Sequence, residues 1–274
     1  MNYFIFQGNP DIFDVDTYIA DNNEIQWRVT QHFKDVHVGD IVYIWRATGK
    51  KKAVSGVVAL AEVLTEPAVL KDEFSSQQLW LDGENHSDSR RVKLKILKKC
   101  IASKEVVKRD WLLDDPILKE IRILKSASGT NFQISIQQGQ RLNDLCINTG
   151  RDWKYEECVA GLWAFKETIG KEVSKLPNSP VSNVALKIGR AVSGVYNKVM
   201  NFRSIDPTDD RKGFGSTNHI DHQVWNDFSI MEQTHLIQLP LTMRTMITGL
   251  MKILNQQSLP AKTIQQRLQH THGQ

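Results

Sequence analysis

The chain has 274 residues, 35 Lys and Arg against 31 Asp and Glu, a net charge of +4 at pH 7 and an apolar share of 41%. That length suits two ordinary domains with packed cores, and no apolar run approaches the roughly eighteen residues that a membrane span needs. The three cysteines, Cys100, Cys146 and Cys158, show no CxxC spacing, which argues against a zinc knuckle and for a reducing cytoplasm.

Met1-Asn2-Tyr3-Phe4-Ile5-Phe6 has neither a basic leader nor a small-residue cleavage site, and reads as a first strand. Strands are predicted at Tyr3–Gln7, Ile25–Val29, Ile41–Ala47, Ser55–Val63, Val92–Leu97 and Phe132–Ile136, all β-branched or aromatic runs bounded by turn residues. Val92-Lys93-Leu94-Lys95-Ile96 alternates strictly, so its lysines share one face. Short helices are expected around Pro116–Lys125 and Gln137–Cys146, and mobile segments at Gly49–Lys52 and Asp82–Ser89. Together these predict a small barrel over residues 1–149.

Near Gly150 the periodicity turns helical. Tyr155, Cys158, Val159, Leu162, Trp163 and Ile169 form one stripe ending at Gly170. Ser179-Pro180 is a start signal and Gly189 a stop. Val192, Val195, Tyr196 and Val199 form the next stripe. Asp206–Asn218 reads as a charged loop, Leu241–Leu254 as a Met-rich amphipathic helix, and 256–274 as a polar tail. The fold class is therefore α+β, a β-barrel followed by a small all-α domain over residues 150–274.

Two features bear on function. Between Arg90 and Arg109 stand nine basic residues, including Arg91 and Lys98, against the single acid Glu105. They read either as a solvated strand face or as a polyanion contact. The second feature is aromatic. Trp27 and Trp45 lie in strands, Asn9 follows the first strand at a barrel rim, and Arg46 adjoins Trp45. A lone strand tryptophan is more often core than ligand. Flat aromatic walls with an amide to read a Watson–Crick edge are, however, what a flipped base requires.

Phe4-Ile5-Phe6-Gln7-Gly8-Asn9-Pro10-Asp11, Ile25–Val29, Gly39–Ala47 and Gly56–Val63, with Pro67, Arg91-Val92 and Gly129-Thr130-Asn131-Phe132 in order, resemble the EVE domain over roughly residues 1–147. The resemblance implies a PUA-like fold, related to the RNA-reading YTH domain. It also implies, in a restriction and defence context, recognition of methyl- or hydroxymethylcytosine flipped out of DNA. By position it implies a cage of Trp27 and Trp45 with Asn9 at the rim; Trp80 is a third candidate.

In the helical half, Asp152–Glu157, Ile188-Gly189-Arg190, Gly194–Phe202, Ile205-Asp206-Pro207 and Asp221–Trp225 are similar to the module that accompanies EVE domains and HNH nucleases. Arg190, Lys198, Asn201 and Arg203 are candidate phosphate or base-edge contacts, beside Arg46, Arg90, Arg91 and Lys98 from the first half. No HNH, PD-(D/E)xK, Walker or GxGxxG arrangement is present, and His219 and His222 lack the neighbours of a metal site. No catalytic residue, metal or cofactor is expected. Modified double-stranded DNA is the expected partner. A separate nuclease subunit that completes an endonuclease, and RNA, are the alternatives.

Overall fold

The computed structural model describes residues 1–50, 54–81, 88–126 and 128–233, and the strands between Tyr3 and Ile134 form one curled sheet. The expected helix at Leu241–Leu254, the tail 256–274, His235, His270, His272, Lys51, Lys52 and residues 82–87 lie outside the described residues.

Strand β1 (Tyr3–Gly8) runs into helix α1 (Val15–Asp21), followed by β2 (Glu24–Arg28), β3 (Ile41–Arg46) and β4 (Gly56–Val63). Then come β5 (Ala68–Leu70), α2 (Phe74–Gln77), β6 (Ser89–Lys99), β7 (Val107–Lys108) and α3 (Arg109–Asp114). Helix α4 (Arg122–Lys125), β8 (Asn131–Ile134) and α5 (Ile136–Asn148) complete this part. The strand order is β2-β6-β4-β3-β1-β8, with β5 on β6 and β7 on β4. β1 and β3 pair in parallel, and the other pairs are antiparallel.

The two end strands of this path nearly meet. Buried Asn131, at the head of β8, accepts from Thr30 N at 2.9 Å and donates to Arg28 O at 3.1 Å. Gln31 Oε1 accepts from Thr130 N at 3.2 Å. A side chain thus replaces the missing ladder and the sheet becomes a half-barrel.

The period of two along a strand separates two cores. Tyr3, Ile5, Ile41, Tyr43 and Trp45 pack with α5 and α3 on one face. Phe4, Phe6, Val42, Ile44, Ile25 and Trp27 pack with Tyr18 and Ile19 of α1 on the other. All six residues of β3 are buried because both faces are covered. The six expected strands all form, each with ends within about three residues of the expectation; α1, β5, β7, α2 and α3 were not foreseen.

After residue 150 come α6 (Tyr155–Lys166), α7 (Pro180–Ile188), α8 (Val192–Ile205) and α9 (His219–Gln233). They bury a third core around Phe165, Val184, Val195, Val199 and Phe202. Ser179 caps α7 as expected, accepting from Ser182 N at 3.2 Å. Gly189 ends it at φ +71, where a side chain would be strained.

A buried polar latch joins the two parts. Arg141 of α5 pairs with Asp115 at 2.8 Å and donates to Arg190 O at 2.7 Å. Arg190 in turn pairs with Glu157 of α6 at 2.8 Å and donates to Asn148 O at 2.8 Å and Asp152 O at 2.7 Å. Burial works to raise the Glu157 pKa, but the bonds from Arg190, Arg151 and the Lys154 amide outweigh it and hold the carboxyl below its usual value.

Candidate functional site

The sheet curls around a cavity of about 190 Å³. An apolar cavity of roughly 150 Å³ is known to admit benzene, so a single-ring base fits this space. The end of β1 supplies Gly8 and Asn9, the following turn Ile12 and Phe13, and β2 supplies Gln26, Trp27 and Arg28. Asp72, Ser76 and Trp80 close it from the segment around α2, with Tyr18, Arg91 and Thr130 also in its wall.

Gly8 is required for this arrangement. A Cβ there would come within 2.5 Å of Val15 and 3.2 Å of the Trp27 ring, so the indole packs onto bare backbone. Trp27 is 7% exposed. Trp80 is half-buried and meets Phe13 at 4.8 Å between ring centroids, and Phe13 meets Tyr18 edge-on at 5.2 Å. The cavity is thus walled by four aromatic rings.

Asp72 organises the polar side. Its buried carboxylate accepts from Ser76 Oγ at 3.0 Å and from Trp80 Nε1 at 2.5 Å, and pairs with Arg91 Nη1 at 2.8 Å. Burial disfavours the Arg91 charge and holds its pKa below the usual value, with Asp72 offsetting part of that effect. The Tyr18 phenol is pushed well above its ordinary value, chiefly by burial, so it remains a neutral donor and acceptor. It accepts from Gln26 N at 2.8 Å and donates to Glu73 Oε2 at 3.2 Å, which fixes β2 beside the cavity.

Two side-chain amides remain for a ligand. Asn9 Oδ1 is used by the turn, accepting from Asp11 N at 3.0 Å, which leaves its amino group as the donor. Gln26 Oε1 is buried and has no hydrogen-bond partner among the described residues. A buried acceptor left in this way costs free energy unless something fills it.

The EVE domain family model matches residues 2–145, a little more than half of the chain. The chain belongs to the EVE family. No curated protein matches it. Among solved structures it is similar to a hypothetical protein from Leishmania major, at 15% identity and a TM-score of 0.38, over 52% of this chain and 92% of that one. It is also similar to Rpa0253 from Rhodopseudomonas palustris, at 15% identity and TM-score 0.36, over 51% of this chain and 89% of that one. A third similar structure is human THYN1 protein in complex with 5-methylcytosine containing DNA, at 9% identity and TM-score 0.38, over 52% and 95%.

Of the four side chains expected to hold a base in this EVE chain, Asn9, Trp27 and Trp80 line the cavity. Trp45 does not. It is 2% exposed in the other core, because odd-numbered positions of β3 face α5 while the cavity lies on the Trp27 side.

Most of the expected phosphate contacts are occupied inside the protein. Arg46 donates to Val54 O at 3.1 and 2.7 Å and pairs with Asp16. Lys98 Nζ donates to the carbonyls of Cys146 at 2.6 Å and Ile147 at 3.2 Å, which caps α5. Arg91 and Arg190 are buried in the pairs described above. Lys198 pairs with buried Asp221 at 2.5 Å, Asn201 donates to Ser216 O at 2.9 Å, and Arg203 lies 3.6 Å from Asp209. Arg90 alone of the eight is exposed, its guanidinium 3.9 Å from the Phe33 ring centroid.

Tyr18, Gln26, Arg28 and Asp72 were not foreseen. Arg28 follows Trp27 in the same strand, a signal the sequence offered; Asp72 carried none. Among the described residues no group of His, Cys, Asp and Glu is placed to hold a metal. Cys100, Cys146 and Cys158 are buried free thiols, and burial, opposed by Lys198 and reinforced by Asp221, pushes the Cys158 thiol up to about 12. No helix among the described residues is long and apolar enough to cross a membrane.

Proposed function

We propose that the cavity receives a modified cytosine flipped out of duplex DNA, and that the protein is a reader of the modified base. The observation that carries this reading is the meeting of Asn9, Gln26, Trp27 and Trp80 around one space of single-ring size. Cytosine offers an exocyclic amine as donor and ring nitrogen and carbonyl as acceptors. The unfilled Gln26 acceptor and the Asn9 amino group complement that edge. Stacking on aromatic rings contributes about 1–3 kcal/mol per base, comparable with the few kcal/mol that unpairing costs.

A C5 methyl group against the aromatic wall adds about 0.8 kcal/mol, or roughly fourfold in affinity. Selectivity for the modification is therefore modest unless the wall fits the methyl closely. The helical half, which the latch joins to the sheet through Arg141 and Arg190, is read as a DNA-binding and interaction domain over residues 150–274. A restriction or defence role would then be exercised through a separate effector such as a nuclease subunit.

The test is affinity of the full chain for duplexes that differ at one position: 5-methylcytosine (the base in the DNA of the THYN1 complex), cytosine or thymine. The expected order places 5-methylcytosine first. Thymine, which keeps the methyl but lacks the amine, should be weaker by about tenfold, the worth of one buried hydrogen bond. Trp80→Ala and Asn9→Ala should each flatten the order. Equal affinity for all three duplexes refutes base reading, and preference for single-stranded RNA over any duplex would assign the cavity to RNA instead.

A further inference from the structure

A base that leaves a duplex opens a gap in the stack, and something must fill it or the helix pays the full unstacking cost. The mouth of this cavity has two kinds of rim. Ile12 lines the cavity and is also 38% exposed, which places it at the opening. Leu81, 57% exposed, lies directly beside it, its amide donating to Ile12 O at 2.7 Å. The neighbouring bridge between Phe13 and Trp80 ties this pair to the cavity walls. Exposed Arg28 and Thr130 line the same mouth from the two strand ends that Asn131 joins.

Among the described residues nothing packs over these two adjacent aliphatic side chains enough to bury them. Ile12 follows a turn already fixed by Asn9, whose carbonyl accepts from Ile12 N and Phe13 N at 3.0 Å each. The turn therefore holds its shape without burying Ile12. Arg28 makes no hydrogen bond or ion pair through its side chain to another described residue, so its charge at the rim remains available to an anion. An apolar lip beside a cation at the opening of a base-sized cavity matches the chemistry of a duplex step: a stacked apolar surface next to phosphate.

We infer that Ile12, supported by Leu81, is the wedge that enters the base stack when the base leaves it, while Arg28 and Thr130 hold the phosphate of the flipped nucleotide. This inference rests on the base-flipping reading above and adds to it the residues that fill the vacated stack and hold the phosphate. A wedge contributes only where there is a stack to fill. A cavity wall contributes to duplex and single strand alike.

The experiment measures affinity of the full chain for one 5-methylcytosine oligonucleotide, as a duplex and as a single strand, with the unmodified cytosine duplex as reference. The wild-type protein is compared with Ile12→Ala, Ile12→Leu, Leu81→Ala and, as an apolar surface control far from the mouth, Val38→Ala. Thermal melting verifies that each variant is folded. The expected result is a loss of about tenfold for Ile12→Ala on the duplex with change of less than about twofold on the single strand, and near-full retention by Ile12→Leu. Leu81→Ala should show the same pattern more weakly. Equal losses on both forms, or none on the duplex, overturn the wedge while leaving base reading intact. A wild-type protein with no preference for 5-methylcytosine over cytosine overturns both.

Discussion

Trp27, Trp45 and Trp80 show what decides whether a tryptophan is core or wall. Trp45 has the same neighbours in sequence as a rim residue, a strand end followed by a glycine turn, yet lies on the α5 side of a strand buried on both faces. Trp80, the third candidate, lies outside the predicted strands and is held at the cavity by Asp72, eight residues earlier. That difference is testable. Asp72→Asn removes the charge partner of buried Arg91 and should cost roughly 3–5 kcal/mol of stability. It should also loosen the Trp80 indole and reduce selectivity. Trp45→Phe should lower the melting temperature through lost packing and leave selectivity for 5-methylcytosine as in the wild type. Denaturant unfolding and duplex binding on the same preparations check both, and loss of selectivity in Trp45→Phe would return that residue to the site.

At the scale of elements, the sequence was most legible where one rule acted alone. The period of two found every long strand, and the Ser179 cap with the Gly189 stop found α7. Helix α1 escaped because its buried face rests on only Val15, Tyr18 and Ile19, too short for a helical period to show. β5 and β7 escaped because strands of three and two residues are made by their partners, not by their own propensity. The internal partners of Arg190 were not legible, because they come from elements distant in sequence, while a charge near a helix end suggests phosphate.

The latch those elements build is pH-dependent. Glu157 titrates below its unfolded value, so its contribution to stability is fully present above the usual carboxylate range and is lost as pH falls through the depressed folded value. Glu157→Gln leaves Arg190 buried without its counter-charge and should cost roughly 3 kcal/mol or more near neutral pH. Melting curves from pH 7 downward should show the gap between wild type and Glu157→Gln narrowing below about pH 4.5, near the ordinary carboxylate value. A gap that stays constant with pH would mean that Glu157 is not the titrating group.

For the whole molecule, the distribution of charge matters more than its total. The net charge of +4 decides nothing, and the basic run from Arg90 to Arg109 reads from sequence either as a solvated face or as a polyanion contact. The fold engages four of the nine basic residues, Arg91, Lys98, Lys99 and Arg109, with its own carbonyls and carboxylates, and leaves Lys93, Lys95, Lys104 and Arg90 at the surface, with Arg28 on the neighbouring strand. Binding to DNA should then depend less on salt than the count of lysines and arginines implies, with the base itself supplying more of the specificity.

The central claim is that a methylated base sits among the rings of Trp27, Trp80, Phe13 and Tyr18. The most direct measurement is the carbon-13 methyl resonance of a single labelled 5-methylcytosine in a duplex titrated with the full chain. Enclosure by aromatic rings predicts a large ring-current shift of that methyl, reduced in Trp80→Ala and retained in Trp45→Phe. A methyl resonance that broadens with the rest of the duplex but keeps its free shift would show that the base never leaves the helix.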